Sequence, residues 1–98
     1  MTNKKRDLEL LSKILFAIED SDADEITTPQ SLNTHELIKN YDDNVVFLHV
    51  RLLDNAKFID VTLKDDLEGK NYLIQGITWD GYDFLEKARK KLELGGRF

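Results

Sequence analysis

Apolar residues recur with two different periods in this chain, and the order of the periods specifies an architecture. Leu8, Leu11, Ile14, Leu15 and Ile18 fall at helical spacing, which predicts a first helix over residues 7–19 with one core-facing stripe. Phe16 falls near the opposite face of that helix. The helical period returns over residues 42–57. At about 100° per residue, Val45, Val46, Val50, Leu52, Leu53 and Ala56 form one wide apolar face, with Asp42 suited to cap the helix and Asp43 adding favourable negative charge to its first turn. The opposite face presents Asn44, Phe47, Arg51, Asp54 and Asn55. From residue 58 the period becomes two. Ile59, Val61 and Leu63 alternate with Asp60, Thr62 and Lys64, and after a turn-forming stretch at 65–70 a second run sets Leu73 and Ile77 against Tyr72 and Ile74. The runs predict an antiparallel hairpin within residues 58–78, with Gly76 marking a bend or bulge.

A last helix opens at Thr78, a good N-cap, with Asp80 favourable to the helix dipole and Ile77 placed to staple against Tyr82. Phe84, Leu85, Ala88 and Leu92 supply its core stripe, Lys87, Arg89, Lys90 and Lys91 gather toward its C-terminal end, and Gly95-Gly96 ends it. Trp79 reads as a core plug between wing and helix, its indole N–H needing a partner. Helix, hairpin, helix in this order predicts an α+β winged helix of three or four helices, with a hairpin wing followed by a final helix. The whole chain, 1–98, reads as one domain.

Residues 27–40 admit more than one reading. Thr28-Pro29 are suited to cap and start a short helix, and Asn33 with Glu36 resembles the start of another. The same segment could instead supply a short strand at 37–39 that pairs with the edge of the wing.

Composition narrows the function. At 98 residues, folding buries only about 60 to 65% of the chain's surface, so every element must contribute to the core. The absence of cysteine removes disulfides and thiolate chemistry, and fits a reducing compartment, with the cytoplasm expected. Charges interrupt the N-terminal stretch, so neither a signal peptide nor a membrane span is expected. Asp20, Asp22 and Asp24 match the first ligand positions of a calcium loop, but the position that needs Gly is Glu25 and the one that needs a bidentate carboxylate is Ser31. No metal or cofactor is therefore expected. The histidines, His35 and His49, form no readable nucleophile–base pair, so no enzyme is expected. His49 falls in the middle of an apolar face, which predicts a core residue with hydrogen-bonded ring nitrogens.

Two partner classes remain. DNA would be met by Asn44, Arg51, Asn55 and Lys57 on the third helix, with Lys64 and Lys70 on the wing. The charges argue against tight duplex binding: the net charge is -5, Asp42, Asp43 and Asp54 oppose Arg51 and Lys57, and Asp60, Asp65, Asp66 and Glu68 oppose Lys64 and Lys70. Lys4, Lys5, Arg6, Lys87, Arg89, Lys90, Lys91 and Arg97 lie near the two ends, and would join into a positive patch if the terminal helices are neighbours. A protein partner, or a second copy in a homodimer, would be met by Phe47 and Phe16 as aromatic anchors, with Arg51.

Three stretches carry a family resemblance. They are Lys5-Arg6-Asp7-Leu8-Glu9-Leu10 with Ile14-Leu15; Tyr41 followed by Leu48-His49-Val50-Arg51-Leu52-Leu53; and Ile77-Thr78-Trp79-Asp80-Gly81-Tyr82-Asp83-Phe84-Leu85. Together they resemble the small bacterial and phage family called domain of unknown function 2513. The resemblance implies a winged-helix-like fold and a bacterial or prophage setting and carries neither an established activity nor catalytic residues; a regulatory role in a phage or host gene circuit is the expectation drawn from it. The chain departs from the family's pattern at Asn40, where Gly usually precedes the Tyr.

Overall fold

A computed structural model describes residues 7–20, 26–64 and 71–93. Its elements run α1 (Leu8–Asp20), α2 (Pro29–Asn33), α3 (Asp43–Asn55), β1 (Ile59–Lys64), β2 (Asn71–Ile77) and α4 (Trp79–Glu93). The order of helices around an antiparallel two-stranded hairpin is the winged-helix-like α+β arrangement that the periods predict. The acidic run at 21–25, the wing turn at 65–70 with Lys70, and Gly95-Gly96 lie outside the described residues.

Each helix begins where a side chain can satisfy orphan backbone donors. Asp7 Oδ1 accepts from the N–H groups of Glu9 and Leu10 at 3.0 and 3.2 Å, and Asp42 caps α3 by accepting from the Asn44 N–H at 2.8 Å. Thr28 and Ser31 cap α2 reciprocally, with Pro29 at its first position. The second helix start read at Asn33 and Glu36 does not form. Residues 34–40 run as turns, in which the Ile38 and Lys39 N–H groups both donate to the His35 carbonyl, at 2.9 and 2.8 Å. Ile38 is fully buried in that turn, so it serves as a core plug rather than as a strand residue. The extra strand contact comes from Thr27 instead, which exchanges two 2.9 Å backbone hydrogen bonds with Ile74.

In the hairpin, Ile59 pairs with Ile77 and Asp60 with Gly76, but Val61 pairs with Ile74, which leaves Gln75 as an extra residue. That bulge shifts the alternation by one. Tyr72 and Ile74 point inward with Ile59, and Ile77 joins them on the core side rather than lying with Leu73. Leu10, Ile14, Leu15, Val46, Val50, Leu53, Ile74 and Leu85 complete a single core drawn from α1, α3, β2 and α4. Ala56 lies just past α3 and is exposed.

α3 ends through a left-handed residue. Lys57 has φ 64°, the Phe58 N–H donates to the Leu53 carbonyl and the Lys57 N–H to the Asp54 carbonyl, each at 2.9 Å. Glycine is the usual occupant of such a position. α4 then starts against this corner. Thr78 Oγ1 donates to the Lys57 carbonyl at 2.6 Å and accepts from the Gly81 N–H at 3.1 Å. A Cβ at Gly81 would lie 2.0 Å from the Phe58 carbonyl oxygen, so only glycine lets the first turn of α4 sit this close to β1.

Trp79 is not the core plug that its position in the sequence predicts. It is 84% exposed. Gly81, Leu85 and Ala88 are buried in α4, and Trp79 lies on the opposite side of the helix from Ala88, nine residues and about 900° away. Next to the wing, the aromatic contact of α4 is made by Phe84, stacked on Phe58 with centroids 5.2 Å apart.

Candidate nucleic-acid interface

α3 presents one outward polar stripe. Asn44, Arg51 and Asn55 are exposed at helical spacings of seven and four, with Leu48 half-buried among them, so the two amides and the guanidinium share a face. Arg51 has no ion-pair partner among the described residues. Lys57 is exposed at the C-terminal corner. Asp42 and Asp43 are exposed at the other end, while Asp54 is half-buried. Asp42 and Asp43 flank the N-terminal end of the stripe, and Asp54 adjoins Asn55 at its C-terminal end. Of the wing cations expected beside it, Lys70 lies outside the described residues, and for Lys64 only the backbone in β1 is described.

The stripe is held in place from behind. Phe47, expected on the exposed face, is half-buried and stacks on Tyr72 with centroids 5.9 Å apart. Tyr72 is almost fully buried, and that burial, reinforced by the Asp43 carboxylate, pushes its hydroxyl up to about 12. His49, 2% exposed, accepts the Asp7 N–H at Nε2, 3.0 Å away, and donates from Nδ1 to the Val45 carbonyl at 2.8 Å. Those two bonds define the neutral ring with its proton on Nδ1. His49 therefore ties the start of α1 to the middle of α3 and fixes the angle at which α3 is presented.

The terminal helices are neighbours; of the terminal cations, Lys4, Lys5, Arg6 and Arg97 lie outside the described residues. Arg89 of α4 pairs with Glu19 of α1 and lies 5.3 Å from the centroid of the Phe16 ring. This corrects the reading of Phe16 as an exposed anchor, because the ring is half-buried beneath the guanidinium. His35 is occupied as well: its Nδ1 accepts the Leu37 N–H at 3.1 Å, and its Nε2 meets Asp20 at 3.1 Å. Lys13 bonds Glu9 at 3.0 Å and Tyr41 at 3.1 Å, and these contacts raise its affinity for a proton above the usual lysine value.

Sequence reasoning missed the exposed aromatic pair at the start of α4, Trp79 with Tyr82, which is 48% exposed. The signal was present in the helical phase, since the stripe of Phe84, Leu85 and Ala88 already directs Trp79 outward.

Among the described residues, no helix is long and apolar enough to cross a membrane, and no group of three or more His, Cys, Asp or Glu could hold a metal ion. No curated protein and no solved structure matches the chain. The model of one family, described as hypothetical protein (DUF2513), matches residues 5–92. That span takes in every element from α1 almost to the end of α4, and the chain belongs to the DUF2513 family.

Proposed function

We propose that this domain acts by binding rather than catalysis, and that its ligand is duplex DNA, read by α3 in the major groove. The supporting observation is the outward stripe of Asn44, Arg51 and Asn55, with Arg51 forming no ion pair among the described residues. Guanidinium and amide groups are the side chains that hydrogen-bond purine edges in pairs. Lys57, at the end of α3, is placed to meet a phosphate. Asp42 and Asp43 keep phosphates away from the other end, so affinity is modest and depends only weakly on salt. A binding role also fits both histidines, whose ring nitrogens are engaged in holding the fold. Such binding would suit a regulatory role in a bacterial or phage gene circuit.

The test is titration of a mixed-sequence duplex, about two helical turns long, at two salt concentrations. Arg51→Ala should weaken binding by about 5- to 100-fold and relax sequence preference, whereas Lys57→Ala should weaken it evenly and lower the salt slope by about one. A wild-type protein that binds no duplex at low salt would end this reading. The rival reading, a protein contact, is favoured by one observation, the exposure of Trp79 and Tyr82.

A further inference from the structure

The outward face of α4 carries an arrangement of charge that fits its own copy. Trp79, Asp83, Glu86 and Lys90 follow one another at spacings of four, three and four, which places them on one stripe opposite the buried Gly81, Leu85 and Ala88. Tyr82 and Lys87 flank that stripe, and all six side chains are exposed. The acids Asp80, Asp83 and Glu86 occupy the first half of the helix, and Lys87 and Lys90 the second. Asp83, Glu86, Lys87 and Lys90 form no ion pair among the described residues.

We propose that this face is a self-association surface, on which α4 of one molecule lies antiparallel to α4 of a second copy about a two-fold axis passing between residues 86 and 87. That register sets Asp83 opposite the partner's Lys90 and Glu86 opposite the partner's Lys87, and the symmetry repeats both pairs. A parallel arrangement would place like charges together and is disfavoured. In the same register Trp79, one turn beyond Asp83, is level with the C-terminal end of the partner's α4, so the two indoles close the two ends of the seam, where an aromatic ring can cover apolar stems and cationic groups. One exposed tryptophan at each end of a charged seam accounts for an indole that is 84% exposed in the monomer. A 15-residue helix is about 22 Å long, so the seam is small and the dimer is weak and concentration-dependent. The inference is independent of DNA binding.

Trp79 is the sole tryptophan in the chain, so its fluorescence reports this surface directly. Sedimentation and acrylamide quenching are followed together across protein concentration. The expected result is a monomer–dimer equilibrium in which Trp79 becomes shielded as the dimer forms. Lys90→Glu should weaken the dimer at least about tenfold, and adding Asp83→Lys to it should restore association, because the swapped pair is again complementary. A protein that stays monomeric up to about 1 mM, a dimer indifferent to Lys90→Glu, or a dimer in which Trp79 remains fully quenchable would each overturn the proposal.

Discussion

His49 and Asp7, forty-two residues apart in sequence, are joined by a 3.0 Å hydrogen bond from the Asp7 backbone N–H to the imidazole Nε2. Asp7 is the residue whose carboxylate caps α1, so one ring fixes both where α1 begins and how α3 lies against it. Replacing His49 by Leu keeps the apolar contacts and leaves the Asp7 N–H without its acceptor. The expected loss is about 1–3 kcal/mol of unfolding free energy, read from urea melts, together with faster hydrogen exchange at the Asp7 amide. An unchanged urea midpoint would show that the bond contributes nothing to stability.

Lys57 occupies a left-handed conformation that costs a side-chain-bearing residue roughly 1 kcal/mol. Lys57→Gly should therefore raise stability by about that amount. Under the DNA reading the same change should weaken duplex binding, so stability and affinity move in opposite directions. A Lys57→Gly protein that melts below wild type would contradict the backbone argument.

Gly81→Ala is predicted to be among the most damaging single-methyl changes in the chain. The new Cβ would lie 2.0 Å from a backbone carbonyl oxygen and 2.6 Å from Ile77 Cγ2, and backbone cannot rotate away as a side chain can. The expected cost is about 3 kcal/mol or more, with loss of near-ultraviolet ellipticity around Phe58 and Phe84. A fully stable variant would mean that α4 can move off β1 freely.

Tyr72 gives the protein an alkaline weakness. Its hydroxyl is raised from 10.0 to about 12 in the folded state, so the folded form retains its proton while the unfolded chain loses it. The stabilisation is complete below pH 10 and is lost as pH rises toward 12, by up to about 1.4 kcal/mol per pH unit. Tyr72→Phe should flatten that alkaline limb in equilibrium unfolding. A limb of equal slope in the variant would assign the effect to other groups.

The fold was largely legible in the sequence because its long elements each obey a single period. Leu11, Ile14, Leu15 and Ile18 on α1, Val46 and Val50 on α3, and Phe84 with Leu85 on α4 repeat often enough to outweigh local ambiguity. Legibility failed where one residue decided the outcome. A single extra residue, Gln75, moved Ile77 to the other face of the hairpin, and a single residue, Thr27, took the extra strand pairing. For Trp79, helical phase and not hydrophobicity decides the side of α4 on which it lies. On the candidate site, Asn44, Arg51, Asn55 and Lys57 are exposed as expected. Phe47 and Phe16 are not, because their covers, Tyr72 and Arg89, come from distant parts of the chain.

The pairing of Arg89 with Glu19, seventy residues apart, bears on how the molecule assembles. It ties the first long helix to the last, so the chain must close a loop of seventy residues before this contact can form. The entropy of that closure rises only as about (3/2)RT ln n with loop length n, but it must be met before α1 and α4 can bury their stripes together. Neither terminal helix has a core without the other elements. The domain should therefore fold and unfold in a single cooperative step, and a fragment lacking either end should collapse without acquiring fixed packing.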